Sequence, residues 1–170
     1  MSGLPLVQVP WWAVAGTNVA AWALFHSATG LAAHALPLSR LGRDGPVLRL
    51  RRWERDGAVY RRMRIHRWKH FLPEAGDLFR GGMSKRHLPG AIAPDLLRFA
   101  AETRRAECGH WWAMACGPLA VLWNPPLGAA AMIAYGVAVN APFIAVQRYN
   151  RARVGRVLRR LARSSGSPAL

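Results

Sequence analysis

A run of 40 residues, Cys108 to Gln147, contains no Asp, Glu, Lys or Arg. One helix needs roughly 20 apolar residues to cross a bilayer, so the run is about twice that length. Asn124-Pro125-Pro126 interrupts it near the middle, where proline cannot continue a helix. These features predict a helical hairpin that crosses an apolar layer and returns. The polar flanks, Glu102-Thr103-Arg104-Arg105-Ala106-Glu107 on one side and Arg148-Tyr149-Asn150-Arg151 on the other, then arrive at the same face of that layer.

The charge map extends the pattern. Met1 to Ser39 is also uncharged, all eight acidic residues lie between Asp44 and Glu107, and the basic residues fall between Arg40 and Arg105 or between Arg148 and Arg163. A net charge of +16 can signal nucleic acid. Long uncharged blocks separated by arginine-rich ones instead follow the positive-inside pattern of a membrane protein, so no nucleic-acid partner is expected. The same charge suits anionic membrane lipid and phosphorylated donors.

The expected fold class is all-α: a small polytopic membrane protein, one membrane domain over 1–170. It has about three transmembrane helices, an N-terminal span over 11–36 and a hairpin over 106–123 and 127–147. Ala33-His34-Ala35 resembles a signal-peptide cleavage site, but no Lys or Arg precedes the first apolar segment and the segment is long for a signal peptide. A retained helix is the reading. The segment 40–105 and the tail 148–170, both basic, are placed in the cytoplasm.

Locally, Leu48-Arg49-Leu50-Arg51 alternates in the manner of a short strand. Pro73-Glu74-Ala75-Gly76 and Arg80-Gly81-Gly82 read as loops. Pro94-Asp95 opens a helix that meets no breaker until Pro118 and so runs directly into the membrane. Cys108 and Cys116 are about 12 Å apart by helical rise, too far for a disulfide, and read as bystander thiols.

Candidate chemistry gathers at the polar ends of the hairpin. Glu107 and His110, three apart, share a helix face, and Glu102 falls near it. A carboxylate beside an imidazole is what a general base needs. Arg148, Asn150 and Arg151, with Arg104 and Arg105, are donors able to hold phosphates or a developing oxyanion. Lys69 and His70, in Arg67-Trp68-Lys69-His70, form a second cluster that also reads as an interfacial amphipathic segment. The competing reading of Glu102 and Glu107 is that they neutralise nearby arginines. No metal is expected, because the single Glu-x-x-His lacks the second copy that di-iron sites require, and no H-x-x-x-x-D, G-x-S-x-G, Walker A or Rossmann pattern occurs. His26 and His34 read as helix packing.

Arg67-Trp68-Lys69-His70, Lys85-Arg86-His87-Leu88, Glu102-Thr103-Arg104-Arg105-Ala106-Glu107, His110-Trp111 and Gln147-Arg148-Tyr149-Asn150-Arg151 together resemble the glycosyl-4,4'-diaponeurosporenoate acyltransferase family of staphyloxanthin-type carotenoid biosynthesis, over roughly residues 53–161. The resemblance implies a bacterial cell (inner) membrane enzyme, multi-pass. The family's reaction esterifies the sugar of a glycosylated carotenoic acid with a fatty acyl chain, and the acceptor expected for this chain is a glycosylated carotenoid, isoprenoid or related glycolipid. It implies no cofactor beyond an acyl thioester such as acyl-CoA as co-substrate, and the other enzymes of the pathway as partners. The residues themselves, rather than the resemblance, point to His110 as the base, oriented by Glu107 or Glu102. The alternative is a non-catalytic membrane subunit that binds anionic lipid and a partner enzyme.

Overall fold

The structure is a computed structural model that describes residues 10–73, 88–90 and 92–164. All regular structure among the described residues is helical. Three long helices form the body: α1 (Trp11–His34), α4 (Ala93–Cys116) and α5 (Pro126–Ser164). Between α1 and α4 the chain makes short turns of 3₁₀ helix at Leu38–Leu41, Arg52–Glu54 and Lys69–Phe71, with α2 (Ala58–Arg62) and α3 (Ile65–Trp68) among them. The loops expected at 73–76 and 80–82 lie almost wholly outside the described residues.

The helix at Pro94-Asp95 forms as expected. Pro94 sits in its first turn, where a missing N–H costs nothing, and Asp95 meets the positive end of the helix dipole. α4 continues without a break to Cys116. A 3₁₀ turn over Gly117–Leu122 then leads into Pro125-Pro126 and α5. The hairpin inferred from the uncharged run is therefore α4, turn, α5. The basic tail does not separate from it, because α5 continues from the apolar run through Arg163 as one 39-residue helix with Pro142 inside. Leu48–Arg51 is a correction: Leu48 ends a turn and Arg49–Arg51 is irregular, with no strand. Two hydrogen bonds from α5 arginines to the carbonyls of Val47 and Leu48 hold this backbone, so it needs no partner strand.

α4 packs between α1 and α5, antiparallel to both. One end of the bundle is closed by an amide pair: Asn18 Nδ2 donates to Asn124 Oδ1 at 2.9 Å and Asn124 Nδ2 returns a bond to Asn18 Oδ1 at 2.8 Å. Trp123 Nε1 adds a third at 2.7 Å. Two glycines set the helix spacing. A Cβ on Gly109 would lie 3.3 Å from the Ala33 methyl, and one on Gly136 would lie 2.5 Å from the ring of Trp22. Small residues at crossings let apolar helices approach closely. At the other end, Leu96, Phe99 and Ala100 of α4 pack on Val154, and Tyr60 and Ile65 pack on Val146, Tyr149 and Ala152 of α5.

Of the described helices, α5 alone is long and apolar enough to cross a membrane by length and composition. Large apolar side chains are nevertheless exposed on α1 and on the first half of α5. Trp11 (82%), Val19, Leu24, Leu31, Leu127 (85%), Ile133 and Val137 are exposed, while Asn18, Asn124 and Asn140 face inward, with Asn124 and Asn140 buried.

Candidate active site

The antiparallel pairing of α4 with α5 brings Glu107 opposite Arg148 and Arg151. Glu107 is fully buried. Its Oε1 accepts from Arg148 Nε at 2.8 Å and from Trp111 Nε1 at 3.0 Å, and its Oε2 accepts from Arg151 Nη2. Arg148 reaches further: Nη1 donates to both oxygens of Glu54 at 2.8 and 2.9 Å, and Nη2 donates to the Val47 carbonyl at 2.6 Å. All three guanidinium nitrogens of Arg148 are thereby engaged. Arg151 Nη2 also donates to the Leu48 carbonyl at 2.9 Å, while its Nε and Nη1 meet no hydrogen-bond partner among the described residues.

Glu54, beyond the expected set, completes this lattice. It lies buried in the 3₁₀ turn and also accepts from Tyr60 Oη and from the Arg51 N–H at 2.6 Å. Burial opposes its ionisation, but these hydrogen bonds and Arg148 outweigh that and hold its carboxyl below the usual range. Burial also opposes the charge on Arg148, and Glu54 and Glu107 more than offset it, raising Arg148 above its ordinary value. For Arg151 burial wins and lowers it, despite Glu107. Burial, reinforced by the Glu54 carboxylate, raises the Tyr60 phenol well above its ordinary value.

One turn along α4 toward the hairpin tip, His110 makes a different contact. Its Nδ1 is 3.0 Å from Asn140 Oδ1, and its ring stacks on Phe143 at 4.6 Å between centroids with 15° between planes. Asn140, fully buried, directs its Nδ2 to the Gly136 carbonyl at 2.9 Å. The amide oxygen is thus the atom facing His110, which makes Nδ1 the protonated ring nitrogen and leaves the lone pair on Nε2. The pairing of Glu107 with His110 expected from their spacing does not form, because two cationic guanidiniums from α5 take both carboxylate oxygens instead.

The other expected residues divide among separate contacts. Glu102 is buried with Arg105 Nη1 at 3.3 Å, and Arg105 Nη2 donates to the Leu36 carbonyl at 3.1 Å. Arg104 holds Asp44 (Nη2 at 2.7 Å) and the Leu41 carbonyl (Nη1 at 3.1 Å). These two arginines tie the 36–44 connection to α4. Asn150 is fully buried. Lys69 lies over the Tyr149 ring at 5.8 Å, and His70 is exposed beside Phe71. No group of three or more potential metal ligands occurs among the described residues. Sequence reasoning missed Asn140 as a partner of His110. The available signal was an amide inside an apolar helix, where an unsatisfied polar group is costly.

A profile of the glycosyl-4,4'-diaponeurosporenoate acyltransferase family matches residues 45–160. A protein of that name from Staphylococcus aureus (strain bovine RF122 / ET3-1) is 35% identical over 101 residues, covering 58% of this chain and 59% of the relative. Its namesake from Staphylococcus haemolyticus (strain JCSC1435) is 34% identical over 92 residues, covering 54% and 53%. The chain therefore spans little more than half the length of these curated relatives. No solved structure gives a significant match.

Proposed function

From the chain's membership of the glycosyl-4,4'-diaponeurosporenoate acyltransferase family, we propose that it is a membrane acyltransferase esterifying a sugar hydroxyl of a glycosylated carotenoid or related glycolipid. The donor is an acyl thioester such as acyl-CoA. The observation that carries this reading is the His110–Asn140 pair, an imidazole with an oriented lone pair inside a helix bundle that exposes large apolar side chains on α1 and the first half of α5. Polar groups turned inward and apolar ones outward are what a bilayer requires of such a bundle. Three spans, formed by α1, α4 with its 3₁₀ turn, and the first half of α5, lie in the bacterial inner membrane on this reading. Both arginine-rich segments lie on the cytoplasmic side.

In the proposed reaction, His110 Nε2 takes the proton of the acceptor hydroxyl as its oxygen bonds to the acyl carbonyl carbon. The carbon–sulfur bond breaks, and the departing thiolate receives the proton from the imidazolium. Asn140 holds the Nδ1–H throughout and so fixes which nitrogen acts. Glu107 does not touch His110. It holds the arginines that join α4, α5 and the 47–54 loop, and so positions the helix on which His110 stands.

The test is mass spectrometry of total lipids from cells with the gene intact and deleted. Loss of one acyl chain from a glycosylated carotenoid or glycolipid on deletion supports the reading. An unchanged profile, with the protein present in the membrane of the parent cells, contradicts it and favours a subunit that binds lipid and a partner enzyme.

A further inference from the structure

Arg148 directs all three of its guanidinium nitrogens at protein acceptors, and Arg104 and Arg105 are tied to α4's own surroundings. A different set of arginines faces outward. Arg49, Arg51, Arg52 and Arg55 line, with Leu50, a concavity of about 320 Å³, and all four are exposed.

The backbone beneath them is fixed. Glu54 accepts the Arg51 N–H, the Glu54 N–H returns to the Arg51 carbonyl at 2.9 Å, and Arg148 and Tyr60 bind the same carboxylate from behind. The acidic side chain of the turn thus points inward, and the basic ones point outward.

Like charges held this close on a rigid turn repel one another. Among the described residues, no acidic side chain forms an ion pair with any of the four. The nearby acids are engaged elsewhere: Asp44 with Arg104, and Asp56 with the Ala58 N–H. The tail of α5 brings more positive charge to the same loop. Arg156 Nη1 donates to the Asp56 carbonyl at 2.6 Å, and Arg159 reaches the Arg55 carbonyl at 3.4 Å. Burial lowers Arg156, and the neighbouring charges of Arg61, Arg153 and Arg159 lower it further, as a field of uncompensated cations does. Trp53, between Arg52 and Glu54 in the sequence, is also exposed.

We propose that the groove formed by Arg49, Arg51, Arg52 and Arg55 is a phosphate-binding site for a polyanionic phosphate group. Planar guanidiniums bind phosphate bidentately, and four of them suit a pyrophosphate better than a single monoanion. The assignment rests on the acyl-transfer reading in one respect. A nucleotide-type thioester carrier supplies such a pyrophosphate, and the groove lies on the loop that Arg148 and Arg151 join to the helix bearing His110. An anionic lipid head group, a phosphodiester monoanion presented from the membrane side, is the competing occupant.

The experiment uses the full chain in neutral detergent, titrated calorimetrically with inorganic pyrophosphate and with coenzyme A. The chain is also placed in nanodiscs with and without phosphatidylglycerol. Arg49→Gln/Arg52→Gln is compared with Arg62→Gln/Arg160→Gln, which removes the same charge from exposed positions outside the groove. Melting temperatures of both variants should match the parent.

Loss of two charge-assisted contacts should weaken pyrophosphate and coenzyme A about tenfold or more in the groove variant. The control pair should change binding by less than about twofold, the scale of a small, screened loss of distant charge. If the groove variant alone loses its preference for phosphatidylglycerol while soluble phosphates bind neither protein, the groove takes a lipid phosphodiester monoanion and the polyanion assignment is overturned. If the two variants behave alike towards every probe, or the parent binds none of them, the proposal is overturned. Binding is read without turnover, so loss of the acyl-transfer reading leaves this result interpretable, and the reverse holds too.

Discussion

Two polar clusters lie one helical turn apart on α4, and they are built on opposite terms. Around Glu107, every carboxylate oxygen has at least one donor, Arg148 has all three nitrogens bonded, and Glu54, Trp111 and two backbone carbonyls close the set. Around His110, one uncharged amide fixes one ring nitrogen and the other keeps its lone pair. The first cluster joins three pieces of chain: α4, α5 and the 47–60 loop. The second joins two helices and leaves a base. Charge density therefore marks the joint of this molecule, and the proposed reaction uses the less charged cluster for proton transfer.

The largest expected effect breaks the first cluster. Glu107→Ala leaves buried Arg151 without a carboxylate, while Arg148 keeps only that of Glu54. It should cost about 3–5 kcal/mol, the penalty of removing one partner from a buried ion pair, read as loss of folded protein in detergent or by thermal unfolding. Glu107→Gln, which keeps the Trp111 acceptor, should lose less. If Glu107→Ala folds normally but no longer transfers acyl groups, the carboxylate acts in catalysis and the contrast between the clusters fails.

Gly136→Ala comes next. A Cβ there meets Trp22 at 2.5 Å and sits one turn from Asn140, whose amide bonds the Gly136 carbonyl. Overpacking of this kind costs about 1–3 kcal/mol, and thermal unfolding of the single variant measures it. Trp22→Phe should relieve part of that loss in the double variant, since neighbouring sites couple.

A smaller effect sharpens the second cluster. Asn140→Ala frees the His110 ring to turn and to change tautomer, and should slow transfer about tenfold while leaving the acceptor KM within about twofold. A matching rise in KM would instead assign Asn140 to acceptor binding.

The smallest expected effect concerns pH. Glu54 titrates lower in the fold than its ordinary value of 4.5, so its stabilisation is fully present above that value. It is lost as pH falls through the lower, folded value. The stability gap between the parent and Glu54→Gln should therefore be constant from neutrality down to about pH 5 and close below about pH 4.5. A gap that widens on acidification contradicts the pairing.

Much of the architecture is legible in the charge pattern. The uncharged run with its central Asn-Pro-Pro yields the α4–α5 hairpin, and Pro94-Asp95 marks where α4 begins. The run Arg153–Arg163 reads as a solvated, lipid-facing helix, and α5 does continue through it; what is not legible is that Val154 of this stretch meets Leu96 and Phe99 of α4. The candidate site was half visible. Glu107 and His110 share a spacing that suggests a pair, but spacing on one helix says nothing of what α5 presents to each. A buried carboxylate facing two guanidiniums binds them in preference to a neutral imidazole. Glu54 and Tyr60 were hidden for another reason: their contacts to Arg148 and Tyr149 span roughly 90 residues of sequence, and no local periodicity encodes such pairings.

The most direct test of the account is the rate of acyl transfer by purified His110→Ala, with a glycosylated carotenoid acceptor and an acyl thioester donor. The comparison is with parent protein of the same melting temperature. Removing a general base should lower the rate about 10²- to 10⁴-fold with folding intact, because His110 lies outside the Glu107 lattice. A rate within about threefold of the parent would contradict the assignment and move the chemistry away from the α4–α5 junction.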